Sequence, residues 1–181
     1  SDVREHADVI VDFSHPSLLN GILSFAKSKN KPTVIATTGN SEEDIQKIKI
    51  ASENCPIFFS YNMSLGISLI TELAVMAKKI LGDGFDIEII EKHHNKKIDA
   101  PSGTAIMLAD AINNDGKYSY IYDRHQQKRP RDKNEIGISS VRGGSIVGEH
   151  SVLFAGIDEL IEIKHTAYSK KIFAAGALNA A

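Results

Sequence analysis

Cys55 is the single cysteine in the chain, so no internal disulfide can form and nothing points to an oxidising compartment. It precedes Pro56 without a convincing partner and reads as structural. No apolar run approaches the roughly 20 residues that a membrane-spanning helix needs, which argues against a membrane protein. The start, Ser1-Asp2-Val3-Arg4-Glu5, lacks the basic and then apolar blocks of a signal peptide, and a cytoplasmic address is the expectation. Charge of one sign is not in excess either. Lys and Arg total 21 against 23 Asp and Glu, a net charge of -2, too little for a disordered tail or a general nucleic-acid binder. Internal repeats and low-complexity tracts are lacking. What is present is a globular composition, 42% hydrophobic and 24% charged over 181 residues. That length suits one ordinary domain or two small interleaved ones and excludes a large multidomain assembly.

There is no initiator Met, and the chain enters almost at once on Asp8-Val9-Ile10-Val11-Asp12-Phe13, a β-branched run typical of a buried parallel strand. Lys170 to Ala181 reads as the opening of a helix that stops without a cap. A buried strand needs neighbours, so missing sequence is expected at both termini. After the first strand, Ser14 is placed to cap a helix with Pro16 in its first turn and Leu18, Leu19, Ile22, Leu23 and Ala26 at helical spacing. Thr33 to Ala36 follows as a second strand, then the loop Thr37-Thr38-Gly39-Asn40. Ser41-Glu42-Glu43-Asp44 has the pattern of a capping box and opens a helix to about Ala51. Pro56 to Ser60 begins a third unit. Its helix runs from about Ser64 to Leu81, with Leu65, Leu69, Leu73, Ala77 and Ile80 as one stripe and Gly82 as the stop. Three strand-helix alternations argue for a parallel sheet with helices on its faces.

The pattern then changes. Phe85 to Ile89 alternates apolar and acidic residues like a half-solvated strand, and a helix is expected from Pro101 to about Ile112. Glu135 to Val141, Ser145 to Phe154 and Glu159 to Thr166 have strand character, with turns at Gly143-Gly144 and Gly156-Ile157-Asp158. This half reads as an antiparallel or mixed sheet. Sheet edges of this kind are often buried by oligomerisation, so a homo-oligomer in contact through this half is expected. The basic stretch Arg124 to Lys133 has no aromatic residues to stack bases and reads as a solvated loop in preference to an anion site.

The densest group of reactive side chains is Glu91-Lys92-His93-His94-Asn95-Lys96-Lys97-Ile98-Asp99-Ala100-Pro101-Ser102-Gly103-Thr104-Ala105, where a strand ends and a helix begins. Helix starts present unpaired amides and a positive dipole end, and in α/β sheets ligands gather there. Ser102 and Thr104 add hydroxyls, and Gly103 lets a ligand approach the backbone. The segment therefore suits a carboxylate or a phosphate, with an ordinary helix start capped by Asp99 or Ser102 as the alternative. His93 and His94 are adjacent, so in an extended segment they face opposite ways and cannot chelate one metal without a bend; no metal site is expected. Two histidines and two lysines ahead of such a helix suggest a cationic site in which a histidine titrates near neutrality and donates a proton. Lys97 can neutralise a carboxylate or share in acid catalysis, whereas Lys92 and Lys96 read as surface residues. Thr37-Thr38-Gly39 and Tyr61-Asn62-Met63-Ser64 occupy equivalent places after the second and third strands and can contact a flat cofactor. His6, His125, His150 and His165 are scattered without metal-ligand spacing.

These residues carry a resemblance. The stretch EKHHNKKIDAPSGTA resembles the signature of the dihydrodipicolinate reductase family of the lysine and diaminopimelate pathway. Val11-Asp12-Phe13-Ser14-His15-Pro16, Ala36-Thr37-Thr38-Gly39, Asn62-Met63-Ser64-Leu65-Gly66 and Arg142 to His150 agree in order and spacing. The resemblance implies a Rossmann-like nucleotide domain with its N-terminal part missing, and an α+β mixed-sheet domain for substrate binding and homotetramer formation. By it, 1–63 is the remainder of the dinucleotide domain, 64–168 the substrate domain and 169–181 a helix returning to the first. It further implies hydride transfer from NADH or NADPH to a cyclic imine dicarboxylate, giving tetrahydrodipicolinate. His93 would exchange the proton with Lys97 as a second donor, and His94, Ser102, Gly103 and Thr104 would bind the substrate carboxylate. Ala36, Thr37, Thr38, Ser60, Tyr61, Asn62 and Met63 would line the cofactor. Ala36 departs from the family's usual glycine, and the glycine-rich phosphate loop and the residue selecting between the cofactors are missing. Two competitors differ in class: a truncated, noncatalytic oligomeric module without a complete dinucleotide site, and a metal-dependent hydrolase using His93 and His94.

Overall fold

The structure, a computed structural model, describes residues 7–181; His6 and the segment Ser1 to Glu5 lie outside them. The chain divides into two compact units. One comprises the chain up to Met63 together with Lys171–Ala181, and the other Ser64–Lys170.

The first unit is a three-stranded parallel sheet in the order β1 (Ile10–Asp12), β2 (Thr33–Ile35), β3 (Ile57–Phe59). Helices α1 (Leu19–Lys29) and α2 (Glu42–Ser52) make the two crossovers. The first strand is shorter and less buried than its apolar run suggests. Val11 and Phe13 point to the exposed side, while Asp12 takes the inward position between them, as the alternation of side chains along a strand requires. The expected cap at Ser14 is corrected as well. The Ser14 hydroxyl donates to Asp12 Oδ1 at 2.6 Å, and the ring of His15 instead accepts the Ser17 amide at the start of the short turn Pro16–Leu18 that precedes α1. At α2 the capping box is reciprocal, with Ser41 Oγ accepting the Asp44 amide and Asp44 accepting the Ser41 amide, both at 3.2 Å. The last helix, α5 (Lys171–Ala180), closes this unit, burying Ala177 against Val34, Ala36 and Met63.

The second unit is a five-stranded mixed sheet in the order β5 (Ser119–Ile121), β6 (Glu135–Arg142), β4 (Asp86–His93), β7 (Gly148–Ala155), β8 (Leu160–Ala167). β4 runs parallel to β6 and antiparallel to β7. Helices α3 (Leu65–Leu81) and α4 (Gly103–Ile112) pack on it to form the main core. Ala105, Leu108, Ala109 and Ile112 of α4 are fully buried there with Ile87, Ile89, Ile136 and Val152 of the sheet. Burying a side chain of Leu or Ile size contributes about 1.5–3 kcal/mol.

Three expectations change in this unit. The α3 stripe of Leu65, Leu69, Leu73 and Ile80 is exposed, and Ile67, Ile70 and Ala74 face the core; only Ala77 of the stripe packs against it. The helix is apolar on nearly every side, so spacing alone cannot choose the buried face. Pro101 lies before the helix, because Ser102 is the N-cap and Gly103 the first helical residue. The basic stretch is also not freely solvated. Arg124 pairs with Glu88 and with Glu135, Arg129 pairs with Glu135, and Arg131 Nη1 reaches Asp86 at 2.5 Å. These cations hold the Glu135 carboxyl down at about 2, with Arg129 the largest cause and Arg124 next. The strand β5 was not anticipated at all.

Candidate active site

β4 is the central strand of its sheet, and alternation sends Ile87, Ile89, Glu91 and His93 to its buried side. The first two enter the core, and the last two place a carboxylate and an imidazole at the sheet's edge of the helix layer. Glu91 has no solvent exposure. A buried carboxylate survives only when its oxygens are satisfied, and here they are. Arg142, which pairs with His93 in the parallel register of β4 and β6, grips it with Nη1 at 2.7 Å from Oε2 and Nη2 at 2.6 Å from Oε1. The Ser102 amide donates to Oε1 at 3.1 Å. His93 Nδ1 lies 2.6 Å from Oε2. Burial alone would push the Glu91 carboxyl up, but hydrogen bonds from His93, Arg142 and Ser140 outweigh it and hold the group well below the usual carboxylate range.

Arg142 does more than pair. Its Nη2 also donates to the Asp99 carbonyl at 2.6 Å, which ties the segment after His93 back to the end of β6. Ser102 is buried, and both its polar groups are used inside the protein. Its hydroxyl accepts the Ala105 amide at 3.2 Å as the helix cap and lies 2.9 Å from His150 Nε2. His150 is paired across from Glu91 on β7, and its ring meets that of His93 edge to face at 5.2 Å between centroids. Burial first, and then repulsion from His93, lowers the His150 imidazole to about 4, so it is neutral at pH 7.

Of the residues singled out in the sequence, His93, His94, Lys97, Ser102, Gly103 and Thr104 all lie in the second unit, between the end of β4 and the first turn of α4. Gly103 is exposed, and a Cβ on it would meet nothing within 4 Å. Lys97 Nζ pairs with Asp99 Oδ1 at 2.8 Å. Lys92 points to the other side of β4, where it pairs with Glu149 Oε1 at 2.5 Å. Three members of the array went unnoticed in the sequence: Glu91 as a carboxylate fixed under His93, Arg142 as its clamp, and His150, which had been grouped with the scattered histidines. The signal for Glu91 was its spacing of two from His93 on a strand. Arg142 and His150 are brought in only by strand pairing.

The seven cofactor candidates lie in the first unit, after β2 and after β3. The side chains of Ala36 and Met63 are taken up in its core. Thr37 is buried and its hydroxyl donates to Asp12 Oδ2 at 2.7 Å, while Thr38 is exposed ahead of Gly39, whose φ is +84°. Ser60 Oγ accepts the Asn62 amide at 3.2 Å, and Tyr61, half exposed, stacks edge to face on Phe59. Two loops at the carboxyl ends of adjacent parallel strands are the usual place for a dinucleotide's flat ring. The exposed backbone of Thr38-Gly39 and the ring of Tyr61 fit that role.

The fold is α/β in two units, and the relatives that the chain matches make it an oxidoreductase. Family profiles described as dihydrodipicolinate reductase N-terminus and C-terminus match residues 1–63 and 66–181, and the chain belongs to the dihydrodipicolinate reductase family. It is 52% identical over 181 residues to the 4-hydroxy-tetrahydrodipicolinate reductase of Exiguobacterium sibiricum, covering all of this chain and 73% of that protein. It is 54% identical over 175 residues to the Clostridium tetani enzyme of the same name, covering 96% of this chain and 68% of that one. A solved dihydrodipicolinate reductase from Paenisporosarcina sp. TG-14, bound to dipicolinate, superposes with a TM-score of 0.72 at 29% identity, over 94% of this chain and 66% of its own. A probable dehydrogenase from Thermotoga maritima shares the fold at a TM-score of 0.59 and 10% identity, over 92% of this chain and 59% of its own.

Proposed function

We propose that the chain reduces the cyclic imine dicarboxylate 4-hydroxy-tetrahydrodipicolinate to tetrahydrodipicolinate in lysine and diaminopimelate biosynthesis. Loss of the 4-hydroxyl as water, gain of one hydride and gain of one proton balance the change. NADH or NADPH, when bound, supplies the hydride. The observation that carries the reading is His93, fixed on a buried carboxylate beside the capped start of α4. The dicarboxylate named with the Paenisporosarcina structure supports it.

On this reading the amides of Gly103 and Thr104 hold one substrate carboxylate at the positive end of α4. His94 and Lys97 balance the remaining negative charge. Ser102 acts from inside, setting that helix start through its cap. His93 delivers the proton to the electron-rich carbon that hydride addition leaves, with Lys97 as a second donor. Ala36, Thr37, Thr38, Ser60, Tyr61, Asn62 and Met63 line the nicotinamide side, the buried ones through their backbone groups. No helix among the described residues is long and apolar enough to cross a membrane, and we place the enzyme in the cytoplasm. The open sheet of the second unit, with Val141 and Leu160 exposed on it, suits a homotetramer, and a monomer mass by light scattering would remove that assignment. A noncatalytic module is disfavoured because the likeness to named reductases runs through the whole chain.

The test is oxidation of NADH and of NADPH followed by absorbance, with freshly generated substrate and a control without it. Substrate-dependent oxidation is the expected result, and the ratio of the two rates gives the cofactor preference. Oxidation of neither would return the noncatalytic module to first place.

A further inference from the structure

His93 is held from below by Glu91, two residues before it on the same strand. Glu91 is fully buried, and besides a hydrogen bond from Ser140, Arg142 and the Ser102 amide take three of the directions in which its oxygens accept. The remaining direction on Oε2 faces His93 Nδ1 at 2.6 Å. An ionised carboxylate has no hydrogen to give, so the proton between the two belongs to Nδ1. The neutral ring then carries its lone pair on Nε2.

A second observation, independent of the first, concerns that nitrogen. Gly148 at the start of β7 lies against it, and a Cβ there would stand 3.1 Å from Nε2 and 3.5 Å from Cδ2 of His93. Glycine at this position leaves Nε2 uncovered. His150, the other imidazole in contact with the His93 ring, meets it edge to face, and its Nε2 is bonded to Ser102.

We propose that Glu91 is a positioning residue for the reaction: clamped by Arg142 and the Ser102 amide, it holds His93 by Nδ1 so that Nε2, kept clear by Gly148, is the nitrogen that exchanges the proton. This rests on His93 being the proton donor. The charged and titratable groups around His93 are Glu91 on its own strand, Arg142 on β6, His150 on β7, and His94 and the Lys97-Asp99 pair in the segment that follows.

Three measurements test it. In the unaltered full-length protein at alkaline pH, nitrogen chemical shifts of the His93 ring should report hydrogen on Nδ1 and none on Nε2; the opposite tautomer overturns the proposal whether or not any variant folds. Glu91→Gln should lower kcat by about 10²-fold, the lower end of a positioned acid's worth, and shift the pH profile of kcat, while Glu91→Asp recovers part of both. A kcat loss with the wild-type pH profile would assign Glu91 a structural role and overturn the proposal. Gly148→Ala should lower kcat with little change in thermal midpoint, and unchanged kcat would show that Nε2 is not the working nitrogen. His93→Gln measured alongside separates the two readings. If it keeps full turnover, the assignment of His93 as acid fails; if it loses turnover while Glu91→Gln leaves the pH profile in place, only the role of Glu91 fails.

Discussion

At the scale of single residues, the proposed reading gives the chemistry to His93 and Lys97, and burial gives His150 a part in the response to acid. His93→Gln retains hydrogen bonding but cannot deliver a proton at neutral pH, and turnover should fall by about 10² to 10⁴; full turnover would take His93 out of its role. Lys97→Ala removes a cation beside the helix start and leaves Asp99 without its partner. Steady-state kinetics should show lower kcat and higher KM for the dicarboxylate, whereas a change in stability alone would make the lysine structural. His150 contributes to the response to acid. Its imidazole is lowered to about 4 in the folded chain from an ordinary 6.5, so between those values the unfolded chain carries the extra proton. This group's contribution to stability is fully present above about pH 6.5 and is lost as pH drops toward 4, about 3 kcal/mol for His150 alone. His165, also pushed down by burial, acts in the same direction. Thermal midpoints should decline from pH 7 to pH 5, and His150→Gln should flatten that decline; an equally steep decline in the variant would place the titration elsewhere. His93, His94 and Lys97 were legible because they are contiguous in a signature. Arg142 stands 51 positions from Glu91, and His150 stands 48 from Ser102, so no local pattern joins them.

At the scale of elements, helices and strands with strong local signals were read closely. The Ser41 capping box and the Gly82 stop both occur where the residues place them, because caps act within a single turn. The buried face of α3 was read wrongly for the reason that makes the helix interesting. Leu65, Leu69, Leu73 and Ile80 form as good a stripe as Ile67, Ile70 and Ala74, and only the sheet beneath decides between them. β5, three residues long, is made by pairing with β6, since so short a segment has no periodicity of its own. The return helix α5 supplies a sharp test. A Cβ on Gly176 would fall 1.6 Å from the Met63 carbonyl oxygen, a backbone atom that cannot swing aside. Gly176→Ala should therefore cost about 1–3 kcal/mol, the usual range for overpacking, as read by urea denaturation. A midpoint equal to that of the parent would mean that α5 is not seated on Met63.

At the scale of the whole molecule, the two units are unequally built. Among the described residues, the second has a single core of fourteen buried residues, while the first has two clusters of four and three. Local opening follows the amount of apolar surface that must be exposed. Amide exchange should therefore reach β1, β2 and β3 well before β4, β6 and β7; uniform protection across both sheets would contradict that ranking. The sequence by itself determined the α/β class, most elements, the family and the position of the candidate segment between β4 and α4. All of these are written in neighbouring residues: caps, turn glycines, alternation and one long contiguous signature. Only the tertiary structure decided that the arginines of the basic stretch are spent on carboxylates, which face of α3 is buried, and that His93 rests on Glu91 under the grip of Arg142. Those outcomes depend on strand order and register, which bring distant side chains within hydrogen-bonding reach and which no local pattern encodes.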